Sequence, residues 1–224
     1  MIPCISVENM RRSDAYIIAN FVPGLELMRR AAMGVFKAYH RPGATAIVVG
    51  SGNNGGDGFA LAWILKERGF DCTVFTVSQK MSPDSAWYAE KAKEVGVPIR
   101  PFEKDCLTGY STVVDCLLGT GFSGTVRGSC RDAIEAINAS GSYVISVDIN
   151  SGMNGDTGEA ELAVRSDLTV TIGFVKHGLV EENSGKYMKR LVCADIGIVL
   201  IQEEGFITGE TCPPWLDMSV IMSL

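Results

Sequence analysis

Residues 48–69, VVGSGNNGGDGFALAWILKERG, constrain the fold of this chain more than any other stretch. The apolar segment that ends in the β-branched residues Val48 and Val49 is typical of a buried strand. From Phe59 onward the apolar side chains recur three and four residues apart, as along one face of a helix, until Gly69 marks a stop. The stretch therefore predicts a strand, a tight glycine loop and a helix in succession.

The glycine loop lies where a polar ligand is favoured, at the start of the predicted helix. The first N–H groups of a helix lack partners within it and the helix dipole is positive there, which favours an anion such as a phosphate. Gly50, Gly52 and Gly55 also satisfy the G-x-G-x-x-G pattern of dinucleotide-binding proteins. In that pattern an acidic residue ends the second strand, whereas Asp71 precedes the second predicted strand, residues 72–77. The pattern alone is therefore weak evidence for a dinucleotide.

Three polar residues, Asn53, Asn54 and Asp57, lie among these glycines. Their amide and carboxylate oxygens suit a hard cation as well as hydrogen bonds to a polar ligand. The alternative is a glycine-rich turn that binds nothing, although fewer glycines would make such a turn.

Beyond this stretch the chain alternates predicted strands and helices, which favours a parallel α/β sheet. Strands are expected at residues 72–77 and 97–102, immediately before Asp115 and Asp148, and at residues 167–173 and about 190–198. The segment 97–102 contains proline and is therefore expected near an edge of the sheet. Ser82 is expected to cap the helix after the second strand, with Pro83 at its first position.

Two predicted helices precede the first strand, more than a minimal doubly wound sheet requires. Ser6 is expected to cap the first, and the second extends to about Tyr39, before a turn at Arg41 and Pro42. These helices must pack either on the sheet or on a second subunit. Their apolar residues predict a homodimer through this surface: Leu25, Leu27, Met28 and Val35.

Two later strands each end in an aspartate beside a glycine loop, Asp115 and Asp148. Open α/β sheets bind ligands at the carboxyl ends of their strands, and a buried carboxylate must be hydrogen-bonded, paired or metal-bound. The glycines and hydroxyls of residues 119–125 suit a pyrophosphate. The alternatives are a flexible turn at this loop and a capping role for Asp148. Lys176 and His177 follow the sixth strand, where such residues are more often solvated than in contact with a ligand.

The composition excludes several classes of protein. The net charge of −6 and a pI near 5.0 argue against a nucleic-acid-binding surface. Seven cysteines without C-x-x-C spacing indicate apolar fillers in a reducing compartment rather than a zinc site. No apolar stretch approaches about eighteen residues, so a cytoplasmic protein without a membrane span is expected. We divide the chain into one α/β domain over residues 1–200 and an unassigned tail over residues 201–224.

Five segments in this order resemble the NAD(P)H-hydrate epimerase family, the N-terminal domain of YjeF-type proteins: GNNGGDG, VDCLLGTGFSG, SVDINSG, TIGFVKHG and ADIGI. Met10, Asp14 and Leu27-Met28 lie where that family carries Met-x-x-x-Asp and Leu-Met-Glu. The resemblance spans about residues 6–198. It implies a three-layer αβα sandwich, Rossmann-like, with a mostly parallel sheet and extra N-terminal helices. It also implies an isomerase, usually dimeric, that interconverts the R and S hydrates at C6 of damaged NADH and NADPH.

Carried over motif by motif, the resemblance implies two sets of site residues and a potassium ion as cofactor. The substrate-binding residues would be Asn53, Asn54, Gly55, Gly56, Asp57, Gly119, Thr120, Gly121, Phe122, Ser123, Gly124, Thr125 and Asp148. The potassium ligands would be Asn54, Asp115 and Ser151. One carboxylate among neutral oxygens suits a monovalent cation, whereas divalent-ion sites usually recruit more carboxylates. An NAD(P)HX dehydratase is the expected functional partner.

The chemistry of such a hydrate calls for an acid/base group. The lone pair of ring N1 expels the C6 hydroxyl once its oxygen is protonated, and water then returns to either face of the planar iminium with the help of a base. Asp148 is the expected catalytic residue, because Asp115 beside a cation would keep its charge. Two alternatives remain. One is a non-enzymatic interaction domain, a role that this fold also has in RNA-decapping proteins. The other is an NAD(P)-dependent dehydrogenase.

Four residues depart from the family pattern. Arg29 replaces a Glu, Ala32 a Gly, Asn150 the Pro of VDIPSG, and His177 the Pro of the Lys-Pro-Gly turn. Because proline fixes φ and asparagine does not, the change at Asn150 predicts a less rigid loop after Asp148.

Overall fold

A computed structural model describes residues 1–38 and 43–222 of the protein. The centre of the molecule is a parallel sheet of eight strands. Numbered along the chain, the strands of the protein are β1 Ile2–Ile5, β2 Thr45–Val49, β3 Cys72–Thr76, β4 Ile99–Pro101, β5 Thr112–Cys116, β6 Tyr143–Val147, β7 Leu168–Ile172, β8 Val175–Lys176, β9 Leu191–Asp195, β10 Gly205–Ile207 and β11 Leu216–Met222. The spatial order of the main sheet is β11-β9-β7-β6-β5-β2-β3-β4, with every neighbouring pair parallel. The proline-containing strand β4 lies at one edge, as predicted.

Helices cover both faces of this sheet, which confirms the three-layer α/β architecture. They are α1 Val7–Asn20, α2 Gly24–Ala38, α3 Asn53–Glu67, α4 Pro83–Glu94 and α5 Gly128–Ala139. Alternate residues of β2 show the two layers, since Ile47 and Val49 pack in the core cluster that contains α1 to α4. Ala46 and Val48 pack instead in the cluster that contains α5. Within the described residues, no helix combines the length and apolar character needed to cross a membrane.

The N-terminal helices begin as the sequence predicts. The Ser6 hydroxyl accepts a hydrogen bond from the Asn9 N–H at 3.2 Å, and Ser82 caps α4 with Pro83 at its first position. The predicted turn at Arg41 and Pro42 and the end of α2 at Tyr39 lie outside the described residues.

The predicted loop between β2 and α3 is shorter than expected, because α3 already begins at Asn53. Three glycines therefore lie inside a helix, where glycine is usually unfavourable. Packing explains them. A Cβ at Gly55 would collide with the Gly50 carbonyl oxygen, one at Gly56 would lie 2.5 Å from the Met28 side chain, and one at Gly58 would lie 2.7 Å from Val49. The close approach of α3 to its neighbours overrides the helix propensity of these residues.

The segment after residue 200 adds strands to both sheets of the protein. β10 pairs antiparallel with β1, which also pairs in parallel with β8, and these three strands form a small second sheet. β11 pairs in parallel with β9 and extends the main sheet. The indole N–H of Trp215 donates to the Leu179 carbonyl at 3.0 Å. The described part of the tail therefore packs on the same folded unit as the rest of the chain.

Candidate active site

A cavity of about 710 Å³ opens at the carboxyl ends of the parallel strands, bounded on one side by α1. Its lining consists of Met10, Arg11, Asp14, Ala15, Ile18, Ser51, Gly52, Asn53, Asn54, Asp57, Leu117, Leu118, Gly119, Thr120, Gly121, Phe122, Ser123, Asp148, Ile172 and Lys176. The segments after β2, β5 and β6, which the sequence singled out separately, thus meet in one place. The contribution of α1 was not expected from its sequence beyond the resemblance at Met10 and Asp14.

Asp148 follows β6 in a strained backbone conformation. Its φ is 70°, and among the described residues it alone has a positive φ without being glycine. The Ile149 N–H donates to the Val147 carbonyl at 2.9 Å, so Asp148 is the central residue of a γ-turn. Its own N–H donates to Val170 of the neighbouring strand β7 at 2.8 Å. Strained residues of this kind are concentrated at functional sites, and this turn brings the Asp148 carboxyl to the cavity.

Lys176 is the ion-pair partner of Asp148, a role that the sequence did not reveal. Its ammonium donates to Asp148 Oδ1 at 2.5 Å, to Thr171 Oγ1 at 3.1 Å and to the Ile172 carbonyl at 2.7 Å. The Lys176 side chain is only 1% exposed, so the expectation of a solvated surface cation was wrong. The available signal was its position shortly after the end of β7, because β7 and β6 are neighbours whose carboxyl ends meet at the same edge.

Two more carboxyl groups share the cavity, and both hold protons more tightly than usual. Burial raises the pKa of Asp14 to about 6, with the charge of Lys176 opposing this rise and that of Asp148 adding to it. Asp57 is half-buried by its accessible surface, yet it is enclosed by enough protein that desolvation raises its pKa well above the usual range. The charges of Asp148 and Asp14 raise it further. The cavity therefore combines three carboxyl groups with one buried ammonium.

Apart from Asp57, the two glycine-rich segments line the cavity with backbone and uncharged side chains. No side chain caps the start of α3 at Gly52, so the first N–H groups of this helix are free of a capping oxygen. The Arg11 guanidinium donates to the Thr120 carbonyl and ties α1 to the second segment. Gly119 to Ser123 line the cavity, whereas Gly124 and Thr125 do not. Gly55 and Gly56 also lie away from it, in the helix packing described above.

The three residues expected to bind potassium converge on the segment after β5. Asp115 is fully buried and accepts hydrogen bonds from Ser146 Oγ at 2.8 Å, from Leu117 N at 3.2 Å, and from Ser151 N and Oγ at 3.0 and 2.5 Å. Asn54 Nδ2 donates to the Leu118 carbonyl at 3.0 Å, and the Leu118 N–H donates to Ser151 Oγ at 2.9 Å.

Two features of this cluster fit a monovalent cation. The buried Asn54 Oδ1 has no hydrogen-bond partner, and such an orphaned oxygen is rare unless it serves a ligand. Burial raises the pKa of Asp115 against the effect of its four hydrogen bonds, so a nearby cation would stabilise its charged form. Among the described residues no basic side chain pairs with Asp115. The donor set of one carboxylate, one amide and one hydroxyl is the kind that binds an alkali cation.

Residues 24–178 match the family model described as YjeF-related protein N-terminus, which covers more than half of the chain. The chain belongs to the YjeF N-terminal family. An NAD(P)H-hydrate epimerase of Limosilactobacillus fermentum is 35% identical over 199 residues, which cover 85% of this chain and 95% of that protein. A bifunctional NAD(P)H-hydrate repair enzyme Nnr of Coxiella burnetii is 36% identical over 196 residues, and this chain spans only 40% of its length.

The fold is also that of a solved structure. The crystal structure of the yeast protein YNL200c superposes with a TM-score of 0.71 at 20% identity, covering 78% of this chain and 82% of the yeast chain. A dehydrogenase-type dinucleotide site is not supported for this YjeF N-terminal domain, because Asp71 lies before β3 with an 89% exposed side chain, far from the carboxyl edge of the sheet.

The departures from the YjeF family pattern have local explanations. Asn150 is fully buried, and its amide nitrogen lies within 3.0 Å of Val164 O, Ser166 Oγ and Tyr187 O, while its oxygen accepts from Thr169 at 2.6 Å. This network holds the loop after Asp148 in place of a proline ring, so the loop is not loosely held.

The other departures from the YjeF pattern lie away from the cavity lining. Arg29 pairs with Glu26 at 2.7 Å on the helix surface, and Ala32 is fully buried in the core. His177 lies between Cys4 Sγ at 3.3 Å and Glu204 Oε2 at 3.2 Å.

Proposed function

We propose that this protein is an NAD(P)H-hydrate epimerase, an isomerase that interconverts the R and S hydrates of NADH and NADPH. The observation that carries the proposal is the Asp148–Lys176 pair in a cavity bordered by two glycine-rich segments. The Limosilactobacillus fermentum epimerase, which this chain matches over 95% of that protein's length, supports it. So does the Coxiella burnetii repair enzyme.

The chemistry assigns a role to each part of the cavity. The C6–O bond breaks as the ring N1 lone pair forms a C=N bond, and the departing oxygen takes a proton from a carboxyl group and leaves as water. Water returns to C6, the C=N electrons return to N1, and a carboxylate takes the proton. We assign to Asp148 the proton transfers on the face of the ring that it borders. Lys176 compensates its charge whenever it is ionised, and Asp57, whose pKa is raised, keeps a proton within the cluster.

The glycine-rich segments would hold the dinucleotide by its pyrophosphate. The uncapped N–H groups at the start of α3 favour an anion, and the backbone of residues 119–123 offers further donors along the cavity. These contacts orient the nicotinamide ring beside the carboxyl groups without themselves transferring protons.

A potassium ion would be held by Asn54, Asp115 and Ser151. The orphaned Asn54 Oδ1 and the buried charge of Asp115 support this assignment. When bound, the ion supplies a fixed positive charge between the first glycine-rich segment and the loop after Asp148. The role of Asn54, Asp115 and Ser151 is then to keep their side-chain oxygens oriented toward the ion.

The oligomer, the partner and the location of the protein are also proposals. Leu27, Met28 and Val35, which we expected at a homodimer contact, are buried in the core instead. Tyr16 and Phe21, near the C-terminal end of α1, expose apolar side chains that offer a different homodimer surface, which light scattering of a Phe21→Glu variant tests.

The bifunctional relative supports a dehydratase as the functional partner. Cell fractionation tests the expected cytoplasmic location.

The direct experiment is to mix the protein with one pure epimer of hydrated NADH and to follow both epimers by chromatography. Epimerisation faster than the spontaneous reaction, with no gain of NAD⁺ or NADH, is the expected result. A redox product would support the dehydrogenase alternative. A rate equal to that of the spontaneous reaction would support the interaction domain.

A further inference from the structure

Asp14 projects into the cavity from a different wall than Asp148 does. It belongs to α1, which lines the cavity with Met10, Arg11, Ala15 and Ile18 in addition. Asp148 follows β6 at the carboxyl edge of the main sheet, and Lys176 of β8 forms an ion pair with it there. A planar ring bound between the helix wall and the sheet edge would therefore have a carboxyl group toward each of its faces.

The stereochemistry of epimerisation makes this arrangement significant. A hydroxyl that leaves from one face of the ring must be replaced by one that arrives on the other, and a single fixed carboxyl group reaches only one face. Resting on the epimerase function proposed above, we propose that Asp14 is a second catalytic acid/base residue, which serves the face toward α1 while Asp148 serves the face toward the sheet.

The proton count of this scheme closes. The protonated group on one face gives its proton to the departing hydroxyl, which leaves as water with the electron pair of the C–O bond. The ionised group on the other face takes a proton from the incoming water as its oxygen bonds to C6. After one turnover the two carboxyl groups have exchanged protonation states, and the domain is ready for the reverse direction. Proton exchange within the cavity or with solvent resets it.

The charged groups around Asp14 leave it free for this role. Arg11 lies on its own helix and donates to Thr120, Asp57 comes from α3, Asp84 from α4, and Lys176 donates to Asp148. Among the described residues no basic side chain forms an ion pair with Asp14. Its raised pKa of about 6 gives it both protonation states near neutral pH, as an acid/base group requires.

A side cavity of about 140 Å³ lies behind Asp14 and provides room for the water that the scheme needs. It shares two carboxyl residues, Asp14 and Asp57, and also Ile18, Asn53 and Ile172 with the main cavity. The rest of its lining is apolar residues of α2 together with Asp84 and Ile196. A water occupies about 30 Å³ of liquid volume, so this space has room for several waters beside the two carboxyl groups. The departing or returning water can thus be kept next to Asp14.

The test follows oxygen exchange and epimerisation separately, in H₂¹⁸O, starting from each pure epimer. In Asp14→Asn, epimerisation should fall by about 10²- to 10⁴-fold, as expected for loss of a proton-transfer group. The epimer whose hydroxyl faces Asp148 should still take up ¹⁸O with retention of configuration, because Asp148 can expel and return water on its own face. The other epimer should exchange no faster than in the spontaneous reaction.

Asp148→Asn should give the opposite pattern, with exchange retained only for the other epimer. Glu8→Gln, an acid-to-amide change on the exposed first turn of α1, is the matched control and should leave every rate unchanged. Asp14→Glu should recover part of the epimerisation, and Asp14→Ala replaces the amide variant if circular dichroism shows that the amide disturbs the fold. In wild type, kcat/KM for epimerisation should fall as the pH rises through about 6, because Asp14 then loses its proton, and the fall should be equal in both directions as the equilibrium requires. In Asp14→Glu the fall should remain, with its midpoint at the pKa of the longer carboxyl side chain.

Two results would overturn the role of Asp14. One is equal loss of exchange and epimerisation for both epimers, which indicates a binding or structural role. The other is wild-type behaviour of Asp14→Asn. If wild type itself accelerates neither exchange nor epimerisation, the proposed function fails, and the assignment of Asp14 fails with it.

Discussion

At the scale of single residues, the site depends on the unusual state of Asp148. A non-glycine residue at positive φ is held there at a cost of about 1–3 kcal/mol, and hydrogen bonds to Val147 and Val170 on either side fix this turn. Its carboxylate in turn compensates the ammonium of Lys176, which has almost no contact with solvent. The turn and the ion pair therefore support each other.

Asp148→Asn, alone and combined with Lys176→Met, should separate catalysis from stability. We expect a loss of epimerisation of about 10²- to 10⁴-fold. Asparagine tolerates positive φ, but the buried Lys176 loses its counter-charge, and breaking such a pair costs about 3–5 kcal/mol. Adding Lys176→Met should restore most of the unfolding free energy measured in urea without restoring activity. The ion pair would not stabilise the fold if the single and double variants unfolded at the same urea concentration.

The orphaned Asn54 Oδ1 predicts a stability that depends on potassium. At constant ionic strength, replacing tetramethylammonium by potassium should raise the Tm of wild type, because a ligand that binds only the folded state stabilises it. Asn54→Ala should abolish this response, whereas Asn53→Ala, on the neighbouring exposed position, should preserve it. Scanning calorimetry measures both, and a wild-type Tm indifferent to potassium would contradict the cation site.

The sequence predicts single residues well where one strand end suffices to place them. Asp115 and Asp148 were found because apolar strand residues precede each of them, and the sheet then brings both to the same edge. Lys176 and Asp14 were not assigned, because their roles depend on side chains from other elements. The pairing of Lys176 with Asp148 arises from the neighbouring positions of β6 and β7, and no pattern within the segment 168–176 encodes it.

At the scale of elements, tertiary packing decides what local patterns leave open. The glycines before Phe59 read as a loop, yet α3 includes Gly55, Gly56 and Gly58 because each faces a neighbour too close for a Cβ. The tail carries no strong periodicity, yet it supplies β10, whose partner β1 lies at the other end of the chain, and β11, whose partner β9 lies just before the tail. Strand pairing of this range is not visible in a local window of sequence.

Trp215 tests whether the tail stabilises the fold. Its ring lies where a Cβ at Gly185 would be 2.5 Å away, and its indole donates to Leu179. Trp215→Ala should lower the unfolding free energy by up to about 3 kcal/mol through lost packing. Trp215→Phe keeps a ring and loses the hydrogen bond, so it should cost about 1 kcal/mol. Urea unfolding measures both, and unchanged stability in Trp215→Ala would show that the tail is dispensable.

At the scale of the whole molecule, the parallel sheet brings the site residues together. Because every strand of the main sheet runs in the same direction, the segments that follow β2, β5, β6 and β7 all reach one edge and form one cavity. The alternation of strands and helices predicted a parallel α/β sheet, and the family resemblance implied its three layers. The sequence could not give the spatial order of the strands or the position of α1 across the cavity, since both depend on contacts between distant segments.

The central claim is that this cavity catalyses epimerisation. The most direct test runs two reactions, each starting from a different pure epimer. One begins with the pure R epimer of hydrated NADH and the other with the pure S epimer, each with the wild-type protein and followed by chromatography. The account predicts that both reach the same final ratio at a rate proportional to protein concentration, with no redox product, and that Asp148→Asn removes this acceleration. Rates that do not depend on protein concentration, or that persist unchanged in Asp148→Asn, would contradict it.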